Sequence, residues 1–170
     1  MQQLAPKSPA LSATHHEQLV RPQHTNAHGT AFGGEVMAWV DSVAAAAAMR
    51  HCGKAVVTAS IDSLHFLAPL PMGWLALLDA HVNHAWRTSC EVEVNVKAYN
   101  PVTGESHDTV TAFLTFVAID SLGKPSPIPP VLPHSQDEKD RSDAAQSRRA
   151  IRLNLKTAQS QKKKRDPRNI

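Results

Sequence analysis

The sequence predicts an α+β fold in which one long central helix is wrapped by a curved antiparallel sheet of about five strands. The segment EVMAWVDSVAAAAAMRH is Ala-rich, lacks Gly and Pro, and carries apolar residues on almost every face, as a buried helix does. After Gly53 the hydrophobic period changes to that of a strand and keeps this period through four long segments. Because one sheet covers only one side of such a helix, we expect a second copy of the chain to cover the rest.

The individual elements follow from these periods and from turn residues. The helix is predicted from Glu35 to about His51. A short strand is expected before it, around Leu19 to Pro22. The four long strands are predicted over Ala55 to Ala68, Trp74 to Ala85, Ser89 to Asn100 and Ser106 to Ile119, the last two joined as a hairpin by the turn NPVTGE.

Length and charge divide the chain into three parts. Its 170 residues, 42% of them hydrophobic, suit one compact domain. We assign 1–17 to a flexible lead-in, 18–133 to the folded domain and 134–170 to a charged, basic tail that is partly helical or disordered. Residues 1–133 hold 7 Lys and Arg against 10 Asp and Glu, whereas residues 134–170 hold 11 against 5. The basic excess lies in the tail, so a nucleic-acid groove in the fold is not expected.

The compartment is inferred from cysteines and apolar runs. Cys52 and Cys90 are too few and too far apart for a disulfide framework, and both are expected to be free thiols. The sequence MQQLAPKSPALSATHHEQ lacks the apolar stretch of a signal peptide, and no run approaches the ~20 apolar residues that span a bilayer. We therefore expect a cytoplasmic protein without membrane insertion.

Asp41 is the conspicuous charge within the apolar helix, where Met37, Ala44, Ala45 and Ala48 surround it at helical offsets. Burying an unpaired carboxylate costs several kcal/mol (about 3–5). Two interpretations remain open: the carboxylate faces a wet cleft or hydrogen-bond donors, or it points to solvent from the helix surface.

A Gly-rich segment, HTNAHGTAFGGEV, leads into this helix. Gly33 and Gly34 open the helix, where free backbone N–H groups could hold an oxyanion, although a Gly pair taken alone is more often an ordinary Gly-rich turn. Asn26 adds an amide that can orient water or polarise a carbonyl. With the carboxylate of Asp41, these groups suit attack of water on an acyl group. Seven residues separate Gly34 from Asp41, ~10 Å along a helix, so a site shared between subunits is favoured.

The segment NAHGTAFGGEVMAWVD matches the pattern N-x-x-G-x-x-F-G-G-x-x-M-x-x-x-D and resembles the hotdog-fold acyl-CoA thioesterases. The segments SLHFLAPLPMGW, WRTSCEVEVNVKAYNPVTGE and TAFLTFVAIDSLGKP resemble the family's successive strands in their order. The resemblance covers about Gln18 to Pro133. The charged tail is similar to the helical extension of the long-chain, or brain-type, acyl-CoA hydrolase branch.

The resemblance implies a role for each motif residue. Asp41 would be the general base that activates water, and Asn26 would position that water or the thioester, the two coming from different subunits. The backbone N–H of Gly34, beside Gly33, would polarise the thioester carbonyl. A homodimer would be the minimal unit, with hexamers built as trimers of dimers.

Substrate contacts are also implied by the resemblance. Arg87, Thr88 and Ser89 lie where family members contact the CoA moiety, although Trp86 is bulkier than the small residue often found there. His65 and Phe66 are assigned to substrate binding. The implied function is hydrolysis of acyl-CoA to a free acid and CoA, within fatty acid metabolism. No cofactor is expected, because CoA belongs to the substrate and the product.

The sequence favours three other interpretations less. A hotdog hydratase usually has a His at the position of the base, where this helix offers Asp41. A metal site is not expected, because HVNH lies on a strand whose i and i+3 side chains point to opposite faces. The third is a non-catalytic acyl-CoA-binding or regulatory hotdog protein whose basic run, QKKKRDPRN, contacts polyanions, and for that run a disordered solubilising tail is the alternative.

Overall fold

The computed structural model describes residues 4–165, and the side chains of residues 4–158. Within this range the chain forms an α+β fold, which confirms the predicted fold class. In chain order the elements are a 3₁₀ helix Pro9–Ser12, β1 Thr14–Leu19, a 3₁₀ helix Pro22–His24, α1 Gly33–Cys52, β2 Val56–Phe66, β3 Leu75–Ala85, β4 Ser89–Tyr99, β5 Ser106–Ala118 and α2 Gln136–Arg165.

The five strands form one antiparallel sheet in the order β1-β3-β4-β5-β2. Alternate side chains of β4 lie on opposite faces: Val92, Val94 and Val96 join α1 in the core, whereas Lys97 on the other face is exposed. This is the alternation that the sequence predicts. The strands β1 and β2 form the two edges of the sheet.

Helix α1 packs one face against the sheet. It ends at Gly53, whose φ of 64° is the left-handed conformation that glycine adopts readily and whose N–H donates to the Met49 carbonyl. Elsewhere on the helix surface, Met37 is 41% exposed and Met49 is 45% exposed. The single chain thus leaves part of this apolar helix uncovered. The buried residues of the helix are Val36, Val40, Val43, Ala44, Ala47, Ala48, His51 and Cys52.

The N-terminal strand lies earlier than predicted. The edge strand β1 occupies residues 14–19, most of which the sequence places in a flexible lead-in, and Leu19 is its last residue. Before it, buried Ser12 donates its hydroxyl to the Pro9 carbonyl and accepts the Val82 N–H at 3.0 Å. The backbone of Lys7 forms a parallel bridge with Val131. These backbone and hydroxyl bonds order a segment whose polar side chains show no apolar period.

The charged C-terminal segment forms α2, which lies on the sheet face opposite to α1. The sequence predicts here a charged tail that is partly helical or disordered, whereas the helix packs on the sheet: Ala145 is fully buried and Arg148 forms a bidentate pair with buried Glu91. Arg152 pairs with Asp62 on β2. The side chains of the basic run at 161–169 lie outside the described residues. Within residues 4–165, no helix is long and apolar enough to cross a membrane.

Candidate active site

Asp41 lies near the middle of α1 and is half-buried. Its Oδ1 accepts a hydrogen bond from the Thr58 hydroxyl of β2 at 2.8 Å. Among residues 4–158 no side chain bonds its second oxygen, Oδ2, which is therefore open to accept from a water molecule. Of the two interpretations left open by the sequence, the structure favours a carboxylate fixed at the rim of the helix–sheet interface over one that points freely into solvent.

The N-terminus of α1 is formed by Gly33 and Gly34 after Phe32. The first amides of a helix have no intrahelical acceptor, and none is found here for either glycine within the described chain. A Cβ on Gly34 would lie 2.7 Å from the Phe32 ring, and one on Gly33 would lie 3.3 Å from the Phe66 ring. Small residues are therefore needed where the two rings approach the helix backbone, and the exposed Gly34 amide is left accessible to a ligand.

Asn26 closes the loop that precedes the helix. Its Oδ1 accepts the backbone N–H of His28 at 2.9 Å, and its Nδ2 donates to the Thr30 hydroxyl at 3.1 Å. This side chain thus has a complete local role as a turn former. No hydrogen bond joins Asn26 to Asp41 among the described residues, so the structure of one chain does not bring these two predicted site residues together.

The predicted CoA contacts form the turn between β3 and β4. Arg87 is exposed, while the Thr88 carbonyl accepts the Ala118 N–H at 3.0 Å, which fixes the turn against the end of β5. Trp86 beside it is covered by the Arg149 guanidinium of α2, 4.4 Å from the ring. The bulky ring therefore packs on the outer face under α2.

His65 and Phe66 lie at the C-terminal end of β2, far from the turn between β3 and β4, and both are exposed. Phe66 lines an open groove of about 460 Å³ together with Gly33 and the segment 67–70. Within one chain, the predicted residues Gly33, Gly34 and Phe66 therefore lie at one end of β2, whereas Asp41 contacts Thr58 toward the other end.

The remaining reactive side chains serve packing. His24 stacks edge-on against Trp39 with ring centroids 5.2 Å apart, and burial lowers the pKa values of His81 and His84. Both cysteines are buried free thiols, as predicted. A hydrogen bond with the Cys52 thiol, together with burial, raises the pKa of Cys90, which disfavours it as a nucleophile.

The family follows from comparison with known proteins. Residues 28–105 match the model of the thioesterase superfamily. The chain is 44% identical over 119 residues to an uncharacterised acyl-CoA thioester hydrolase, YkhA, of Bacillus subtilis, which covers 70% of this chain and 69% of that protein. It spans about a quarter of the length of two mouse thioesterases that it also matches, 24% and 27%.

Solved structures agree in fold. An apo hexameric acyl-CoA thioesterase superimposes with a TM-score of 0.86 at 42% identity, covering 89% of this chain and 97% of that one. An acyl-CoA hydrolase of Staphylococcus aureus, in complex with butyryl coenzyme A, coenzyme A and coenzyme A disulfide, gives 0.86 at 37% identity over 93% of this chain and 96% of that one. The fold is that of the hotdog thioesterases. The chain belongs to this superfamily, among the acyl-CoA thioester hydrolases.

Three alanine variants of the Staphylococcus aureus hydrolase have also been solved, at an asparagine, an aspartate and a threonine that lie 15 and then 17 residues apart. Asn26, Asp41 and Thr58 of this chain have the same spacing. Thr58 is the residue that the sequence analysis missed. It lies in a β-branched strand segment where a threonine is ordinary, and only its contact with Asp41 distinguishes it.

Proposed function

We propose that this protein is an acyl-CoA thioesterase that hydrolyses acyl-CoA to a free carboxylic acid and CoA at a site shared by two subunits. The observation that carries the proposal is the Asp41 carboxylate of α1, which Thr58 of β2 holds, with Asn26 at the spacing found in the Staphylococcus aureus hydrolase. Water is the second substrate, and no cofactor takes part, because CoA enters as substrate and leaves as product.

The chemistry assigns one role to each group. Asp41 takes a proton from water as the water oxygen bonds to the thioester carbonyl carbon. The backbone N–H of Gly34, assisted by Gly33, stabilises the oxyanion that forms. When the tetrahedral intermediate collapses, the C–S bond breaks and the CoA sulfur leaves, taking up a proton. Thr58 holds Asp41 in place, and Asn26 of the other subunit orients the water or the thioester.

The shared site is supported by the free edge of β2. Val57, Ile61 and Phe66 on this strand are 46%, 41% and 52% exposed, which is typical of a surface that another chain covers. If β2 pairs antiparallel with its own copy about Ile61, Thr58 lies opposite Leu64 of the second copy. The helix N-terminus of one subunit then approaches the Asp41 and Thr58 of the other, so each dimer has two sites.

The same arrangement gives the substrate its orientation. The Arg87 to Ser89 turn lies toward the Thr58 end of β2, where an exposed cation suits the phosphates of CoA. His65 and Phe66 would meet the acyl part, since Phe66 lines the groove beside Gly33. Two related structures are described as hexameric, and we propose a trimer of dimers for this chain.

The test is release of free CoA thiol from a panel of acyl-CoAs of increasing length. Asp41→Asn should lower kcat by about 10³-fold, because it removes a general base while keeping shape. Ser42→Ala is the matched control: this exposed neighbour donates its hydroxyl to the Ala38 carbonyl one turn back and should retain full activity. Full turnover by Asp41→Asn would show that the base is misassigned.

The alternative function is a non-catalytic acyl-CoA-binding or regulatory protein, which the basic excess of the tail favours. Truncation after Ala158 separates the two functions, since it removes the basic run but keeps Arg148 and Arg152 in their ion pairs. A thioesterase should keep its hydrolysis rate. Loss of acyl-CoA binding, in a protein that never released CoA, would favour the alternative.

A further inference from the structure

Helix α2 is longer than the part of the sheet that it crosses. Its 30 residues extend ~45 Å. Going along the helix, Ser142 bonds His84 of β3, Arg148 pairs with Glu91 of β4, and Arg152 pairs with β2. Since β2 is the sheet edge, the helix from Arg152 to Arg165 projects beyond it by ~20 Å.

The face of α2 that is turned toward the sheet carries charged and apolar side chains in alternation. Arg148, Ile151, Arg152 and Leu155 follow the i, i+3, i+4, i+7 spacing of one helix face. The two arginines reach the sheet, but Ile151 and Leu155 remain 60% and 59% exposed. Beneath them, a groove of about 660 Å³ separates the helix from residues 59–63 of β2. An apolar stripe thus faces an open groove at the edge of the sheet.

The position of this groove relates it to the dimer proposed above. Antiparallel pairing along the full length of β2 has its two-fold axis at Ile61, and α2 crosses β2 at Asp62, only ~3 Å away. The α2 helices of two copies would therefore cross the same place side by side and in opposite directions. Packed helices lie about 8–10 Å apart, so each helix would lie along the groove of the other.

The charges of α2 suit this antiparallel arrangement. Residues 136–147 contain four acidic and two basic side chains, whereas residues 148–165 contain eight basic and no acidic ones. Two such helices in opposite directions bring the acidic half of each beside the basic half of the other. A parallel arrangement would oppose like charges.

We propose that α2 is a dimer clasp: its segment 151–158 packs in the groove between β2 and α2 of a second copy of this chain, and the partner does the same in return. This inference rests on the dimer of the proposed function. The β2 edges supply the backbone pairing across the two-fold axis, and the α2 pair covers the outer face of the junction.

The experiment measures the dimer dissociation constant of the full chain by sedimentation at decreasing concentration. Replacing Ile151 and Leu155 together by Glu should raise it at least about tenfold, because both side chains would have to bury a charge. The matched control carries Ala150→Glu and Asn154→Glu. These exposed residues lie on the opposite helix face, add the same charge and should change the constant by less than about threefold.

A third variant, with Ile151→Ala and Leu155→Ala, guards against an effect of charge on folding and should raise the constant in the same direction by a smaller factor. An unchanged constant in the Glu double variant would overturn the clasp. The clasp would also be overturned if the Glu double variant separated from a hexamer into intact dimers, because α2 would then join dimers to each other. Hydrolysis is measured with the wild-type protein beside the variants: absence of CoA release by the wild-type dimer, together with a loosened dimer in the Glu double variant, would overturn the proposed function and leave the clasp standing.

Discussion

The two long helices lie on opposite faces of one sheet and are held there in opposite ways. Helix α1 buries Val and Ala side chains against the strands, and its packing needs no ion pair. Helix α2 buries little apolar surface beyond Ala145 and is anchored through Arg148 and Arg152 to carboxylates of the sheet. Non-directional burial on one face thus contrasts with specific charge pairing on the other.

This contrast implies different sensitivities to substitution. A close-packed apolar core keeps its stability when a polar group is lost, but it is destabilised by added side-chain volume. A helix held by buried ion pairs tolerates added volume on its free face, but it is destabilised when one partner of a pair is removed. Four substitutions or conditions test the contrast.

The largest change in stability is expected at the anchor of α2. Arg148→Met leaves the Glu91 carboxylate buried without its cation and should lower the free energy of unfolding by about 3 kcal/mol. The double variant with Glu91→Gln removes both charges and should recover most of this loss. Urea unfolding of the two proteins measures the difference, and equal stability of the single and double variants would contradict the charge-pairing account.

The next largest effect is expected from added side-chain volume, which should lower the stability of the protein at α1 but not at α2. Ala47 of α1 is fully buried, so Ala47→Leu forces three extra carbons into a filled core and should cost about 2 kcal/mol. The same substitution at exposed Ala150 of α2 should change stability by less than about 0.5 kcal/mol. Thermal melts of both variants suffice, and a loss shared equally by both would show that α1 is not close-packed.

Thr58 tests the contact between α1 and β2 at the site. Thr58→Val keeps the shape but loses the hydrogen bond to Asp41, and kcat should fall by about tenfold, the effect of one net hydrogen bond. Thr58→Ser keeps the hydroxyl and should restore most of the rate. CoA-release assays report both values; if the serine variant were as slow as the valine variant, the hydroxyl would have no positioning role.

The fourth test is the pH dependence of stability. His51 in α1 is fully buried and its Nε2–H donates to the Pro129 carbonyl, while burial lowers its pKa below the usual 6.5. His84, which bonds Ser142 of α2, is shifted in the same direction for the same reason. Because both pKa values are lower in the native state, the unfolded chain binds more protons than the native state as the pH falls.

The free energy of unfolding should have its full value above pH 6.5. At lower pH it should decrease, by up to about 1.4 kcal/mol per pH unit for each histidine. His51→Gln and His84→Gln should each flatten this dependence between pH 7 and 5, as measured by urea unfolding at several pH values. A slope that neither variant reduces would assign the dependence to other groups.

The sequence predicts the α1 face well because apolar periods directly encode burial. The helix and the four long strands begin and end within two residues of the predicted positions. The outer face was less predictable, since Glu91 and Asp62 alternate with core residues as solvent-facing polar positions do. Only the fold shows that arginines far along the chain lie above them. The edge strand β1 was predicted too late in the chain for a related reason: its order comes from backbone bonds to β3, which side-chain patterns do not report.

The site residues also differ in how well the sequence predicts them. Asp41 and the glycine pair stand out locally, as a charge in an apolar helix and as small residues at its start. Thr58 and the groove beside Phe66 depend on contacts between distant elements, which no spacing in the sequence reveals. The joining of Asn26 with Asp41 stays a prediction, since it requires the second subunit.

The bridge between Lys7 and Val131 has a consequence for how the chain folds. It joins positions 124 residues apart, and the Lys7 N–H and carbonyl bond the backbone on both sides of Val131. Contacts of such long sequence separation form after local ones, because ordering the intervening chain must come first. We therefore expect α1 and the β4–β5 hairpin to form early, while the two ends of the domain close last, only after the ribosome has released the proline-rich segment.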